Sequence, residues 1–317
     1  MEDLVRGQTQ NEVVFMKNGE FIKIEKKKTE GNIMSKNYRA ELVGAFGCPI
    51  DENPTGVMEE AAFADKGLNY RYMTIKVDPG CLKEAMHGVK AMNMRGINLT
   101  IPHKVEVLKY LDELSPAAKI IGAVNMVVNQ EGKLYGDNTD GKGYLTSLKN
   151  AGVSVEGKHV TILGAGGAAR AISVECALAG AKKITIANID RSQGEELVKL
   201  LNTKTQAEAE FVMWDQAFAV PEDTDIFSNA TSVGLYPNVN EKPNVDYDTV
   251  KDHMVVTDVI FNDPHSLFLK EAEKRGAKTI NGLGMLVNQG ALNFTMWTGV
   301  EAPVDIMVET LKQEFGL

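Results

Sequence analysis

An α/β protein built on two open sheets is predicted by three features of the sequence. From about residue 39, short β-rich runs alternate with helical patterns, the order expected of an open α/β sheet. Past Asp140 a second series supplies six such runs, as a doubly wound parallel sheet requires. Between the first of these runs and the next helix stands Gly164-Ala165-Gly166-Gly167-Ala168-Ala169, a GxGxxA turn.

The elements follow in order. Residues 1–35 are polar and lack sustained periodicity, so a disordered tail is expected. Their apolar runs, Val13-Val14-Phe15 and Phe21-Ile22, could instead form one hairpin through Asn18-Gly19. Met34 as the true start is a further hypothesis, since Glu30-Gly31 can be encoded by a purine-rich, ribosome-binding-like stretch. Finding earlier residues by mass spectrometry of the native protein rejects it. Ala40–Phe46 reads as a strand, Met58–Lys66 as a helix ended by Gly67, and Tyr70–Val77 as a strand. Cys81–Met92 reads as a helix and Gly96–Thr100 as a strand, after which Pro102 is expected at the first helical position. Ser115-Pro116 starts another helix, and Val124–Asn129 with Lys133–Tyr135 forms a hairpin across Glu131-Gly132. The second series runs His159–Leu163, Ile184–Asn188, Glu210–Trp214, Asp225–Asn229, Val255–Ile260 and Lys278–Ile280. Two late helical patterns, Met285–Thr298 and Val304–Phe315, fall beyond the last strand and are expected to pack back on the first domain.

Composition narrows the function. The chain has 317 residues, 44% hydrophobic and 24% charged, enough for two packed domains. A net charge of -9, with no basic tract beyond Lys26-Lys27-Lys28, argues against nucleic acid as a partner. No apolar run approaches the ~18 residues of a membrane span, and the N-terminus lacks a signal-peptide core. Cys48, Cys81 and Cys176 lie far apart, which fits buried, reduced thiols in a cytoplasmic protein, and no cluster has metal-ligand spacing.

The glycine-rich turn implies a dinucleotide. Gly164 permits the tight turn, Gly166 the approach of a pyrophosphate, and Ala169 close packing of helix on strand. The helix N-terminus adds free N–H groups and the positive end of its dipole. At the end of the next strand, Asp190 is the acid expected to accept hydrogen bonds from a ribose, so NAD is favoured over NADP. Arg191 beside it keeps NADP possible, since a guanidinium binds a phosphate.

Two polar segments fall at strand ends, where open α/β sheets build their sites. They are Asn98-Leu99-Thr100-Ile101-Pro102-His103-Lys104 and Gly136-Asp137-Asn138-Thr139-Asp140-Gly141. Spacing alone does not bring Lys104 and Asp140 together.

With these residues in view, the chain resembles the shikimate dehydrogenase family, including its quinate/shikimate branch. The pattern N-x-T-x-P-x-K appears as Asn98 to Lys104 and NTDG as Asn138 to Gly141, followed by the GAGGA turn. Asn229-Ala230-Thr231-Ser232-Val233-Gly234 is similar to NATSxG, and Asp258-Val259-Ile260-Phe261 to DxxY. Gly282 to Gly290 is similar to GxxMLxxQG. The likeness covers residues 39–317 and implies a substrate-binding and catalytic domain, 36–139 with 285–317, and a Rossmann NAD(P)-binding domain, 140–284. It implies Lys104 and Asp140 as the catalytic pair, and Thr100, Asn125 and Gln289 as partners of substrate hydroxyls. Asn188, Asp190 and Thr231 are implied near the cofactor, with Phe261 at its edge and Gly282 at the nicotinamide. A free Lys (pKa ~10.4) is a poor base near neutrality, so a pair that shares and relays the proton is the expected arrangement. The expected partner is a small molecule, and the expected assembly a monomer or homodimer.

The chain departs from the pattern where the family binds its substrate carboxylate. S-x-S-P becomes Asn53-Pro54-Thr55-Gly56, with an amide on Asn53 and a hydroxyl on Thr55 as surviving donors. Asp51 and Glu52 precede them; facing the pocket they would oppose an anion, although on a loop they are expected to point to water. The family Tyr becomes Phe261, and the usual Asn-Thr becomes Asn125-Met126. These changes bear on the substrate more than on the reaction, so a different cyclic alcohol or amino analogue is the second expectation. A non-catalytic dinucleotide sensor is the third.

Overall fold

The computed structural model describes residues 12–17, 20–25 and 38–317. Strands β1 (Glu12–Lys17) and β2 (Glu20–Glu25) pair antiparallel, with Lys17 opposite Glu20. The hairpin alternative therefore holds for these two segments. Met34 and the rest of the expected tail lie outside the described residues.

Residues 40–317 carry the two open sheets. The first comprises β3 (Glu41–Gly47), β4 (Tyr70–Lys76), β5 (Gly96–Leu99), β6 (Glu113–Leu114), β7 (Met126–Gln130) and β8 (Lys133–Asp137). Its order is β4-β3-β5-β7-β8-β6, parallel from β4 to β5 and antiparallel across β5-β7 and β7-β8. Alternation along the strands sorts residues to two cores. Met126 and Val128 face one side, with Phe294, Trp297 and Met307. Val127 and Ile97 face the other, with Leu82, Met86 and Val89.

Helices α1 (Thr55–Asp65), α2 (Leu82–Ala91), α3 (His103–Glu106), α4 (Pro116–Ile121) and α5 (Asp140–Asn150) link these strands and lead out of them. In α2 the buried set Leu82, Met86 and Val89 has the four-then-three spacing of one helical face. Ser115 caps α4 by accepting from Ala118 N at 3.1 Å, with Pro116 at the first helical position. Of the three cysteines expected to be buried only Cys176 is, Cys48 being half-buried and Cys81 exposed. Several element boundaries shift by one to three residues, and two of these shifts have a local cause. Pro102 stands at the N-cap rather than the first helical position, because its φ of -96° and ψ of 13° are not helical and α3 opens at His103. Helix α1 begins at Thr55, three residues early, because Thr55 N is held by Asn53 Oδ1 at 3.0 Å and Val57 N by Pro54 O at 3.0 Å.

The second sheet comprises β9 (His159–Leu163), β10 (Lys183–Asn188), β11 (Glu208–Met213), β13 (Ile226–Asn229), β15 (Val255–Asp258) and β16 (Lys278–Ile280). A small separate pair is formed by β12 (Phe218–Ala219) and β14 (Val245–Asp246). The order β11-β10-β9-β13-β15-β16, parallel throughout, is the doubly wound arrangement expected. Helices α6 (Gly167–Leu178) and α7 (Arg191–Lys204) follow β9 and β10, and α8 (Leu267–Glu273) precedes β16. The chain reverses direction across the sheet between β9 and β13, which opens a crevice at their C-terminal ends.

The last helices, α9 (Leu283–Thr298) and α10 (Val304–Phe315), return to the first sheet. Trp297 Nε1 donates to Val127 O at 3.0 Å and Tyr70 OH to Trp297 O at 3.3 Å, tying α9 to two strands. Helix α5 lies between α6 and α9 at close range. A Cβ on Gly141 would fall 2.4 Å from Ala171 O, and one on Gly143 would fall 2.7 Å from Met285 O. The glycine of the Asn138–Gly141 turn is thus demanded by helix packing. Among the described residues, no helix is long and apolar enough to cross a membrane.

Candidate active site

A cavity of about 1040 Å³ lies between the C-terminal ends of the two sheets. Lys104 reaches it from a fixed base. The buried His103 ring places Nε2 2.7 Å from Val77 O, and Val124 N donates to Lys104 O at 2.8 Å. Asp140 comes from the turn after β8. Asp137 anchors that turn by accepting from Ser115 Oγ, Lys142 Nζ and Asn138 N. Asn138 accepts from Asp140 N at 3.2 Å and donates to Ala123 O at 3.2 Å. Asp140 then opens α5, where the helix dipole favours a carboxylate.

These two frames bring Lys104 Nζ to 2.6 Å from Asp140 Oδ2. The other carboxylate oxygen, Oδ1, accepts from Asn125 Nδ2 at 2.7 Å. Asn125 Oδ1 accepts from Thr139 N at 2.7 Å, which fixes the orientation of the amide. Thr100 and Gln289 also line the cavity, Gln289 from α9.

The segment in place of S-x-S-P forms the far wall. Asn53 and Thr55 both line the cavity, and Thr55 is buried. Asn53 Oδ1 is occupied by Thr55 N, so its amide nitrogen is the group left to donate outward. Asp51 and Glu52 are solvent-exposed, and they also border the cavity. The charged residues lining it are therefore Asp51, Glu52, Asp140 and Lys104. Three acids face one base that is already paired.

On the opposite side the glycine-rich turn meets the cavity at Ala168. Gly164 has φ +103°, a left-handed conformation that glycine alone adopts without strain. A Cβ on Gly166 or Gly167 would meet nothing within 4 Å, and no side chain caps α6. Open space over uncapped N–H groups fits a pyrophosphate. Ala165 is buried beneath the turn and Ala169 fully buried against the sheet. Thr231, Phe261 and Gly282 line the cavity; Thr231 Oγ1 donates to Asn229 Oδ1 at 2.7 Å, and the Phe261 ring lies 6.0 Å from that of Phe315. Asn188, Asp190 and Arg191 stand at the end of β10, outside the cavity lining. Asn188 Nδ2 donates to Asp190 O at 2.9 Å, and Asp190 Oδ1 caps α7 by accepting from Gln193 N at 3.1 Å. Arg191 pairs with Glu195 at 3.1 Å and sits 5.6 Å from the centre of the Phe211 ring.

Three features near the cavity escaped the sequence reading. Asn293 donates to Gln289 Oε1 at 3.0 Å, a contact signalled by their four-residue spacing on one helix. Glu59 on α1 is fully buried with neither carboxylate oxygen hydrogen-bonded, and burial pushes its carboxyl well above the usual range. Asp258, at the end of β15, is pushed up to about 6 by burial, against the pull of hydrogen bonds from Ser266, Ile260 and Asn229.

Comparison with known proteins accords with this architecture. The shikimate dehydrogenase substrate binding domain matches residues 45–127, and the shikimate 5'-dehydrogenase C-terminal domain matches residues 282–312. A shikimate dehydrogenase (NADP(+)) of Desulforamulus reducens is 40% identical over 281 residues, 88% of this chain and 97% of that protein. A ligand-free 5-ketofructose reductase of Gluconobacter sp. strain CHM43 is 47% identical, with TM-score 0.84 over 88% of this chain and 100% of that one. A Listeria monocytogenes shikimate 5-dehydrogenase, crystallised with shikimate and NAD, is 39% identical, with TM-score 0.82 over 88% and 100% of the two chains. With identity of this order along nearly the whole length of such relatives, the chain belongs to the shikimate dehydrogenase family of nicotinamide-dinucleotide-dependent oxidoreductases.

Proposed function

We propose that this enzyme interconverts shikimate, and by extension quinate, with the corresponding 3-keto acid. The observation that carries the reading is the Lys104–Asp140 contact of 2.6 Å in a cavity that also receives the glycine-rich turn. A bound nicotinamide would exchange a hydride with the substrate carbon. The protein handles the proton on the substrate oxygen. Lys104 has one of its three donors on Asp140 and others free to meet that oxygen. In the reducing direction Lys104 and Asp140 supply the proton to the forming hydroxyl; in the oxidising direction they take it up. Thr100, Asn125 and Gln289 would hold neighbouring hydroxyls, and Asn53 Nδ2 with Thr55 Oγ1 the carboxylate. The Gly164–Ala169 turn would hold the pyrophosphate, with Thr231, Phe261 and Gly282 toward the nicotinamide.

NAD is the proposed cofactor, with NADP as the alternative. Asp190 opposes a 2′-phosphate, and Arg191 is already engaged with Glu195 and Phe211. The name of the Desulforamulus relative favours NADP instead.

A second reading keeps the reaction and changes the substrate to an uncharged polyhydroxy ketone. It is favoured by Asp51 and Glu52 on the cavity rim, by the missing S-x-S-P pair, and by the likeness to 5-ketofructose reductase. Nicotinamide absorbance with shikimate, quinate or 5-ketofructose, each against both cofactors, separates the readings. Turnover of an acid supports the first, turnover of 5-ketofructose alone supports the second, and cofactor binding without turnover overturns both in favour of a sensor.

A further inference from the structure

Asn125 and Gln289, on opposite elements of the cavity wall, are joined by a buried hydrogen-bonded chain. Asn125 Nδ2 donates to Thr139 Oγ1 at 3.1 Å, and Thr139 Oγ1 lies 2.8 Å from Asn293 Oδ1. Asn293 Nδ2 donates to Gln289 Oε1 at 3.0 Å. Thr139 and Asn293 are fully buried, and Asn125 and Gln289 nearly so. Each link constrains the next. The Thr139 hydroxyl has one proton and two oxygens within reach; Asn293 Oδ1 at 2.8 Å is nearer than Asn125 Oδ1 at 3.2 Å, which already accepts from Thr139 N, so the hydroxyl donates to Asn293. Asn293 must then present its carbonyl to Thr139 and its amide nitrogen to Gln289. Gln289 receives that bond on its carbonyl, which leaves its own amide nitrogen as the donor available to the cavity.

We propose that Asn293 is a positioning residue that sets the polarity of Gln289, keeping it a hydrogen-bond donor toward a substrate oxygen. The chain ends in two opposite polarities. At one end the Asp140 carboxylate accepts from Asn125 and Lys104. At the other, the Gln289 amide donates. The cavity thereby meets a polyol with an acceptor group beside the reacting oxygen and a fixed donor across from it. A free glutamine would present either face, and half of its orientations would oppose an oxygen lone pair with another. This inference rests on Gln289 as a substrate contact, and it holds for an acid and a neutral ketone alike.

Steady-state kinetics test it, using whichever of shikimate and 5-ketofructose the parent enzyme turns over. Asn293→Leu is expected to raise KM for that substrate about five- to tenfold, with kcat and KM for the cofactor within about twofold. In a Gln289→Ala background the same change should have no further effect on KM, because its target is gone. Thr139→Val, which leaves α9 untouched, should raise KM in the same direction, and Thr139→Ser should restore it. An Asn293→Leu effect of equal size in both backgrounds, or an equal rise in cofactor KM, overturns the positioning role. If Gln289→Ala alone leaves KM unchanged, the substrate contact itself is wrong and the inference falls with it. If Asn293→Leu does not fold, the Thr139→Val and Thr139→Ser pair decides by the same criterion.

Discussion

Lys104 Nζ and Asp140 Oδ2 lie 2.6 Å apart although their residues belong to separately built frames, one on α3 and one at the start of α5. The backbone beneath Lys104 and the side chain of Asp140 are both held. Lys104 is fixed through its neighbour His103 and its own carbonyl, and Asp140 through Asn125 and Asn138. In the proposed mechanism, a pair held this way is in place for proton transfer before substrate arrives. Lys104→Met and Asp140→Asn are each expected to lower kcat by about 10²- to 10⁴-fold, the usual worth of a positioned acid–base group. Fluorescence titration should show cofactor affinity within about twofold of the parent. The double variant should lose little more than the worse single one, as for groups that act as a unit. Near-parental turnover in either single variant would remove the pair from the mechanism.

Asp190 offers a test of cofactor choice. One of its oxygens caps α7, while the other is uncommitted at the end of β10. Asp190→Ser retains a capping oxygen and removes the negative charge. The ratio of kcat/KM for NAD over NADP is expected to fall about tenfold or more, through gain with NADP as well as loss with NAD. Equal loss with both would show that the carboxylate serves the helix and not the ribose. Arg191→Ala should leave the ratio nearly unchanged, since its guanidinium is held by Glu195 and Phe211.

The legible parts of this protein are those in which one local rule decides. The doubly wound order followed from short β-rich runs and a glycine turn, and each predicted strand forms within two residues of its expected start. The Asn98–Lys104 and Asn138–Gly141 patterns contain the two residues that the fold brings into contact, but the sequence held no information on their separation. Their meeting depends on β5 and β8 lying on either side of β7, which is a tertiary fact. The early start of α1 was hidden because Pro54 and Gly56 read as loop residues, while a single side-chain bond from Asn53 to Thr55 N turns the segment into a helix entrance. Asn293 was visible as a polar residue in an apolar helix, but its partner Thr139 lies 154 positions away. Glu59 belongs to no motif in the sequence, and the packing of α1 against α9 and α10 accompanies its burial.

Asp258 links stability to pH. Its folded-state value of about 6 lies above the unfolded value near 3.9, so the native state holds the proton longer than the unfolded chain does. Stability is then highest below the unfolded value and declines as pH rises from about 4 to about 6. Two units of separation amount to about 3 kcal/mol at most. Asp258→Asn should abolish this part of the pH profile. Urea midpoints of variant and parent at pH 4.5 and 7.5 should shift relative to each other in the variant's favour at the higher pH. A constant difference would show that Asp258 remains ionised throughout.

Glu59 is buried too, but it has no hydrogen bonds to offset the loss of water. Burial pushes its carboxyl well above the usual range, and the cost of burying it unsatisfied is about 1–3 kcal/mol. Methionine has a similar length and no polar atom that needs a partner. Glu59→Met is therefore expected to raise stability by an amount of that order near neutral pH. The sign with pH follows from the raised value: the parent loses stability as pH climbs above the unfolded value near 4.3, so the gain should be larger at pH 8 than at pH 5. Because Glu59 follows Thr55 by one helical turn, kinetics on the same variant are informative. Stabilisation with unchanged KM would make Glu59 a simple defect of packing. A fall in the urea midpoint at both pH values would mean that a partner satisfies the acid in solution, and the stability argument would fail.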